Sequence, residues 1–205
     1  MKCYLVMHGK DDDTIRGGWS NSCLTEDGIA HVKDLADYIS TNLSELNINK
    51  IFSSDLLRAV QTAEIISLSA NSNIEYLPEF RVTNNGLLAG MPNELANQNY
   101  PHLYWNKLDW NESFPNGESP CSFFERINDA WESFNKVIAT KNENVILITH
   151  EGVINVICCI IENKLYSNKN ENEKIPNASM IELEYHKGIW KRIGKFVKQP
   201  PHNAS

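Results

Sequence analysis

Residues 144–161 read NVILITHEGVINVICCII. The run from Asn144 to Thr149 is short and apolar, which is typical of a strand buried on both faces of a parallel sheet. The apolar run from Gly152 to Ile161 is long enough for a helix that packs behind that strand. His150 and Glu151 lie between the two runs. The segment therefore predicts a strand followed by a helix, with polar side chains at the end of the strand.

Short apolar runs alternate with helical patterns along the rest of the chain. The runs at 3–7, 50–54 and 73–77 predict three further strands, and those at 179–185 and 189–197 predict a terminal hairpin. Apolar residues recur at helical spacing over 25–39, 56–66 and 119–137. Strands whose connections can hold a helix predict an α/β fold, here a three-layer α/β/α sandwich with a mostly parallel sheet.

The middle of the chain, residues 84–120, lacks this regularity. It carries Gly, Pro, Asn and aromatic residues with no sustained period. We interpret it as an irregular, partly helical excursion from one domain that spans residues 1–198, rather than as a second domain. The tail at 199–205 is expected to be frayed.

The composition limits the partners and the compartment. The 205 residues are 41 % hydrophobic and 22 % charged, which is ordinary for a globular protein with a sizeable core. The net charge of -7 argues against a nucleic-acid partner, since phosphate backbones attract basic surfaces. No apolar run approaches the roughly 20 residues of a membrane span, so no membrane partner is expected. The five cysteines form no CxxC pair, and with no signal-peptide pattern they indicate the cytoplasm.

Three predicted strands end close to side chains that can bind phosphate. His8 and His150 each follow an apolar strand, and Arg58 lies just after a third. The carboxyl ends of parallel strands meet at one edge of a sheet, where ligands bind in α/β folds. One neutral imidazole there could attack phosphorus, while a protonated imidazole and a guanidinium hold the phosphoryl oxygens. Gly9 and Gly152, each within two residues of a histidine, would leave room for the ligand.

These residues also have ordinary structural interpretations. A histidine at the end of a strand is often a hydrogen-bonded core residue, and Glu151 could simply favour a helix N-terminus. Lys10 stands among three aspartates, where a solvated ion pair is an alternative to ligand binding. A metal site built on the two histidines lacks carboxylate or cysteine ligands at a suitable spacing, so no metal is expected.

Five segments resemble the histidine phosphatase superfamily, the phosphoglycerate-mutase-like group, and occur in that family's order. The most specific is SSDLLRAVQTAE at residues 53–64, which contains Arg58. The others are LVMHG, GWSNSCLTEDG, PNGES and THEGVI, at residues 5–9, 18–28, 115–119 and 149–154. Together they extend the resemblance over residues 2–160.

The resemblance implies an α/β/α sandwich, a phosphohistidine intermediate on His8, and phosphate contacts from Arg58 and His150. It implies that residues 84–120 form an inserted cap over the pocket. It requires no metal and no organic cofactor, and the partner that it implies is a small phosphorylated metabolite. The oligomeric state stays open.

Two departures from the family pattern concern the phosphate-binding loop. The family signature begins Arg-His-Gly, whereas Met7 stands before His8 here. The loss of one charge-assisted phosphate contact could cost about 2–4 kcal/mol of transition-state stabilisation. Lys10 or Arg16 could restore the charge, although a lysine does not replace a bidentate fork. The loop from His8 to Leu24 is also shorter than is usual in the family. The family's phosphate-binding asparagine has no clear match in this loop, and Asn21 is the candidate for its role.

A third departure concerns the proton donor. The mutase branch carries a glutamate at the position that Val82 occupies here, and valine cannot donate a proton. The acid phosphatases and phytases place their acid directly after the second histidine, where this chain has Glu151. The negative charge of the substrate favours the protonated form of a nearby carboxyl group. We therefore predict that Glu151 takes over this role, with Glu118 and Glu79 as weaker substitutes.

The sequence thus predicts a phosphomonoesterase that hydrolyses a small soluble phosphate ester through His8. A catalytically impaired relative that binds phosphate or a partner is the alternative, since Met7 and Val82 mark a lost arginine and a lost acid. A phosphoglycerate-type mutase is less favoured, because a mutase must keep and return its phosphoryl group.

Overall fold

The computed structural model describes residues 1–169 and 172–197, with residues 195–197 described by their backbone alone. The predicted tail at 199–205 lies outside the described residues. The predicted strands are present and share one sheet; they are β1 (Lys2–Met7), β2 (Ile48–Ser53), β3 (Ile74–Tyr76), β4 (Asn144–Thr149), β5 (Met180–His186) and β6 (Ile189–Val197).

The strand order places the strands that carry the candidate residues side by side. The sheet runs β3-β2-β4-β1-β5-β6, and β1 to β4 are parallel. Strand β5 runs antiparallel to β1, and β6 runs antiparallel to β5. Met7 pairs with Thr149, and Ser53 pairs with Ile148. The ends of β1, β4 and β2 are therefore nearly level, and His8 and His150 leave the sheet at the same edge.

Helices fill the connections between these strands. Within the described residues they are α1 (Glu26–Thr41), α2 (Leu43–Leu46), α3 (Leu57–Ala70), α4 (Asn93–Asn99), α5 (Pro120–Lys141) and α6 (Glu151–Ile161). The Thr25 hydroxyl accepts a hydrogen bond from the Gly28 N–H at 3.0 Å, and Ser119 forms a capping box with Ser122, so both helices begin where the sequence predicts. No helix in this part of the chain is long and apolar enough to cross a membrane.

The helices cover both faces of the sheet and produce the predicted three-layer α/β/α sandwich. Leu5 and Met7 of β1 pack in one core with α5 and α6, whereas Tyr4 and Val6 pack in the other with α1 and α3. Successive side chains of a strand point to opposite faces, so a strand that is covered on both sides is apolar throughout. This explains the uninterrupted apolar runs in the sequence.

The middle segment, residues 84–120, is irregular and partly helical, as predicted. It holds α4 and two single 3₁₀ turns, and its small core consists of Leu88, Leu108 and Phe114. Hydrogen bonds join its backbone to the loop after β1: the Arg16 N–H donates to the Met91 carbonyl, and the Gly90 N–H donates to the Arg16 carbonyl, both at 2.8 Å. The segment is thereby held over the carboxyl edge of the sheet.

Candidate active site

A cavity of about 780 Å³ lies at the carboxyl edge of the parallel strands, where α/β folds bind their ligands. His8, Arg58 and His150 line it together. The middle segment contributes mostly apolar and aromatic side chains to its wall, among them Leu88, Leu103, Tyr104, Trp105 and Phe114. The cavity therefore combines a polar cluster at the strand ends with an apolar wall.

The hydrogen bonds of His8 define which ring nitrogen carries the proton and which carries the lone pair. Its Nδ1 lies 2.7 Å from the carbonyl oxygen of Gly9, which can only accept, so Nδ1 carries the proton. Its Nε2 lies 3.2 Å from Nε of Arg58, which can only donate, so Nε2 carries the lone pair. The ring is buried and lines the cavity. His8 is therefore held in the tautomer that a nucleophile needs.

Burial also keeps His8 neutral. Its pKa is lowered from 6.5 to about 4, first by burial and then by the positive charge of Arg58. The Asp11 carboxylate and the Gly9 carbonyl act in the opposite direction, with smaller effects. At neutral pH the Nε2 nitrogen is therefore unprotonated, and its lone pair accepts the Arg58 Nε–H.

His150 occupies the N-cap position of α6, without a side-chain capping hydrogen bond, and lies beside His8 with 5.0 Å between the ring centroids. Its Nε2 lies 2.9 Å from the Ser54 hydroxyl, and its Nδ1 is buried without a hydrogen-bond partner among the described residues. Burial, followed by the charges of His8 and Arg58, holds its pKa well below the usual range. The sequence predicts a protonated imidazole at one of the two histidines, whereas the complete burial of His150 favours its neutral form.

The Arg58 guanidinium is fixed by contacts on several sides. It is 3 % exposed, and it donates hydrogen bonds to the Gly18 carbonyl at 2.9 Å and to the Ser22 hydroxyl at 3.3 Å. Burial lowers its pKa, and the Asp11 carboxylate partly offsets that effect. An arginine stays charged under these conditions. Arg58 therefore presents a positioned cation next to His8 Nε2.

Asp11 belongs to this cluster, although the sequence analysis did not select it. Its Oδ2 lies 3.4 Å from Nε of Arg58 and accepts a hydrogen bond from the Ser22 hydroxyl at 2.7 Å. The run of three aspartates near the end of β1 was the available signal, but nothing in the sequence distinguishes Asp11 from Asp12, whose carboxylate binds Thr14 within the loop. No group of three or more potential metal ligands occurs in the described ranges.

Glu151 and Gly152 form the first turn of α6 and line the cavity. The Glu151 side chain is exposed, and its Oε1 accepts a hydrogen bond from the Ile175 N–H at 3.2 Å. Glu151 therefore follows His150 directly and shares the cavity with it, and one of its carboxylate oxygens is held by the Ile175 N–H.

Packing against α1, rather than room for a ligand as the sequence predicts, explains the glycine at position 9. A Cβ atom at Gly9 would lie 2.7 Å from a Val32 methyl carbon and 2.9 Å from the Gly28 carbonyl oxygen, so this position faces α1. Gly9 is absent from the cavity lining. The absence of a side chain at Gly9 therefore allows the loop after β1 to pack closely against α1, and the Gly9 carbonyl orients His8.

Of the three polar residues in the loop after β1 that are candidates for ligand binding, one lies in the cavity lining and two do not. Arg16 lines the cavity, whereas Lys10 and Asn21 are exposed and do not. The Lys10 carbonyl instead accepts the Thr25 N–H at 2.9 Å, which holds the start of α1. Of these three residues, only Arg16 is placed to contact a ligand in the cavity.

Met7 and Val82, the two apolar residues at positions where the family pattern has an arginine and a glutamate, also line the cavity. The carbonyl of Val82 accepts hydrogen bonds from the Trp19 indole at 2.7 Å and from Arg126 at 3.2 Å. The same Arg126 binds both carboxylate oxygens of Glu118, at 2.6 and 2.9 Å. Glu118 is therefore an ion-pair partner rather than a free acid, and the exposed Glu79 lies outside the cavity lining.

Comparison with known proteins shows the same family over nearly the whole chain. The family described as the histidine phosphatase superfamily (branch 1) matches residues 3–194. A probable phosphoglycerate mutase of Escherichia coli O1:K1 is 26 % identical, with 97 % of this chain and 91 % of that protein covered. A probable phosphatase of Schizosaccharomyces pombe is 30 % identical, with 90 % and 87 % covered. The solved α-ribazole phosphatase from Shigella flexneri has the same fold, with a TM-score of 0.77, 19 % identity, and 97 % of this chain and 96 % of that one covered.

Proposed function

Because this chain belongs to the histidine phosphatase superfamily, we propose that it is a phosphomonoesterase that hydrolyses a small phosphate ester through a phosphohistidine on His8. The observation that carries this proposal is the state of the His8 ring: neutral, held through Nδ1, and with the Nε2 lone pair 3.2 Å from Nε of Arg58. An oriented lone pair beside a fixed cation suits attack on an anionic phosphoryl group.

In the first step, the Arg58 Nε–H exchanges its hydrogen bond to His8 Nε2 for one to a phosphoryl oxygen, and the freed Nε2 lone pair forms a bond to phosphorus. The bond between phosphorus and the ester oxygen breaks, and its electron pair stays with that oxygen. Glu151, in its protonated form, gives the departing oxygen its proton, so that an alcohol leaves rather than an alkoxide. Arg58 and His150 Nδ1 stabilise the charge on the phosphoryl oxygens during this step.

In the second step, water attacks the phosphohistidine. The Glu151 carboxylate accepts a proton from the water, the phosphorus–nitrogen bond breaks, and its electron pair returns to His8 Nε2. Inorganic phosphate leaves, and both residues regain their starting states. One carboxyl group therefore serves as acid and then as base, as microscopic reversibility requires for two such steps.

Hydrolysis is favoured over phosphoryl transfer by the apolar residues in the cavity. A mutase must hold its phosphoryl group while the acceptor reorients, and Met7 and Val82 supply neither a cation nor an acid for that purpose. With a 2- or 3-phosphoglycerate probe, we expect inorganic phosphate as the product and no isomerised ester, followed by ³¹P NMR. Accumulation of the isomer ahead of inorganic phosphate would contradict this assignment.

We expect Glu151→Gln to slow hydrolysis of esters with poor leaving groups by about 10²-fold, because an alkoxide then leaves without a proton. An ester of p-nitrophenol, whose anion is a good leaving group, should be affected much less. The measurement is kcat for an alkyl phosphate and for p-nitrophenyl phosphate. Glu132→Gln, an exposed change on α5, is the matched control. Equal losses on both esters would assign Glu151 a role other than proton transfer.

A phosphate-binding protein without turnover is the second candidate, and two observations favour it. Met7 places an apolar side chain in the cavity lining, where the family resemblance predicts an arginine, and the Asp11 carboxylate lies 3.4 Å from the Arg58 Nε. Calorimetry with inorganic phosphate, alongside p-nitrophenyl phosphate assays from pH 4 to 8, separates the two functions. Binding of phosphate without any turnover that depends on His8 would establish the second candidate.

A further inference from the structure

The part of the loop after β1 that contacts Arg58 is itself held in place by side chains. Arg58 donates hydrogen bonds to the Gly18 carbonyl at 2.9 Å and to the Ser20 carbonyl at 3.5 Å. Among the described residues, no backbone-to-backbone hydrogen bond involves residues 17–23. The position of these carbonyls, and with it the position of the Arg58 guanidinium, therefore depends on side-chain contacts of the loop.

Trp19 stands between these two carbonyls in the sequence, and its side chain contacts a different part of the chain. The indole Nε1–H donates a hydrogen bond to the Val82 carbonyl at 2.7 Å. The Cζ atoms of Arg81 and Arg126 lie 4.7 and 5.9 Å from the centre of the Trp19 ring. Cations over an aromatic face are attracted to it, most strongly in the case of tryptophan. Trp19 therefore joins the loop after β1 to the segment 79–84, which follows β3.

The segment 79–84 is a firm anchor, because Arg126 of α5 holds its backbone. Arg126 makes five hydrogen bonds, as many as a guanidinium has N–H donors. Two of them bind the Glu118 carboxylate, at 2.6 and 2.9 Å. The other three bind backbone carbonyls of the segment, those of Glu79, Arg81 and Val82, at 2.7, 3.1 and 3.2 Å. The carbonyl that accepts the Trp19 indole is therefore fixed from the side of α5.

Trp19 does not contact a ligand in the cavity. It is absent from the cavity lining, whereas Gly18, Arg58 and Val82 belong to that lining. Any effect of Trp19 on a bound phosphoryl group must therefore pass through a neighbouring residue, and Arg58 is the charged group that its loop contacts.

We propose that Trp19 is a positioning residue for Arg58. By anchoring the loop to the segment 79–84, it holds the Gly18 and Ser20 carbonyls against the guanidinium and so fixes the direction in which Arg58 meets the phosphoryl group. This proposal rests on the proposed function, in which Arg58 stabilises the phosphoryl oxygens. A misplacement of about 1 Å that arises far from the reacting atoms can cost about 10²-fold in rate.

Trp19→Leu removes both the N–H donor and the aromatic face. We expect it to lower kcat for p-nitrophenyl phosphate about tenfold, since Arg58 remains but is less well placed. The kcat for an alkyl phosphate should fall by the same factor, because the charge on the phosphoryl oxygens does not depend on the leaving group. Trp19→Phe, which keeps an aromatic face, should recover part of the loss. Trp110→Phe, in the middle segment and outside the cavity lining, is the matched control and should keep the wild-type rate.

The same Trp19 variants in an Arg58→Met background separate positioning from a general effect on the fold. If Trp19 acts through Arg58, its replacement costs no further kcat once Arg58 is absent, so the two losses are not additive. Where Trp19→Leu does not fold, Trp19→Phe carries the same comparison. A further loss by the same factor in the Arg58→Met background would overturn the proposal, and so would an unchanged kcat in both single variants.

Calorimetry with inorganic phosphate distinguishes a failure of this proposal from a failure of the proposed function. Trp19→Leu should raise the Kd for phosphate about threefold or more, as part of the loss of one charge-assisted contact. Weaker phosphate binding in Trp19→Leu, in a protein without turnover that depends on His8, would keep the positioning role and reject the phosphatase. If the wild-type protein neither binds phosphate nor hydrolyses the esters, both proposals are wrong.

Discussion

Replacing His8 by alanine should lower kcat/KM for phosphate-ester hydrolysis by at least about 10³-fold, because His8 supplies the nucleophile that forms the covalent intermediate in the proposed reaction. Two observations support this expectation: His8 Nε2 is the unprotonated nitrogen, and it lies 3.2 Å from Nε of Arg58, the cation proposed to bind the phosphoryl group. The measurement is the initial rate with p-nitrophenyl phosphate. His186→Ala, an exposed histidine on β5, is the matched control and should keep the wild-type rate.

The same substitution should abolish labelling of the protein. An alkaline quench preserves a phosphorus–nitrogen bond, so phosphoryl-enzyme from a ³²P-labelled ester can be counted in wild-type protein and should be absent from His8→Ala. A His8→Ala protein that still hydrolyses the ester at the wild-type rate would rule out the covalent route, whatever the labelling shows.

The pH dependence of kcat/KM follows from the His8 pKa of about 4. Because this pKa is lowered from 6.5, His8 stays in its reactive, unprotonated form as the pH falls from neutrality to about 4. Below that pH, protonation of Nε2 removes the lone pair, and the rate should fall about tenfold per pH unit. A loss of activity with a midpoint near 6.5 would show that His8 titrates as an ordinary exposed histidine.

Replacing Arg58 by methionine should lower kcat by about 10²–10³-fold, the loss expected for one positioned charge donor. Arg58→Lys should recover only part of this, because an ammonium cannot contact Gly18, Ser22 and a phosphoryl oxygen in the same fork geometry. The measurement is kcat under saturating p-nitrophenyl phosphate, with thermal unfolding of each variant in parallel.

Loss of Arg58 also leaves the Asp11 carboxylate without its cation, which destabilises the fold independently of catalysis. The double variant Arg58→Met with Asp11→Asn separates the two effects. We expect it to recover thermal stability without recovering kcat. Recovery of kcat together with stability would show that Arg58 acts on the fold and not on the phosphoryl group.

The fold could be predicted from the sequence because its strands are covered on both faces. That packing demands the uninterrupted apolar runs at 3–7 and 144–149, and their neighbouring positions in a parallel sheet put His8 and His150 at one edge. The convergence of Arg58 with them followed from the same rule, applied to β2. Each of these inferences uses only local periodicity and the direction of parallel strands.

Other parts of the site depend on contacts that no local pattern contains. Asp11 reaches Arg58 because Ser22, later in the same loop, folds back to hold it. Glu118 looks like a free acid in the sequence, yet Arg126 from the next helix binds both its oxygens. Gly9 looks like a ligand contact, yet the helix α1 behind it is what requires a glycine. In each case the deciding partner is distant in sequence or hidden in a loop conformation.

The Asp11 carboxylate has a consequence for the end of the reaction cycle. In the proposed reaction, the Arg58 guanidinium has an anionic neighbour within the protein, 3.4 Å away, when inorganic phosphate departs. Asp11 would then compete with the product for Arg58, and Met7 supplies no further cation to retain that product. We therefore expect phosphate to leave quickly and to inhibit turnover weakly, with weaker capture of each substrate molecule as the cost.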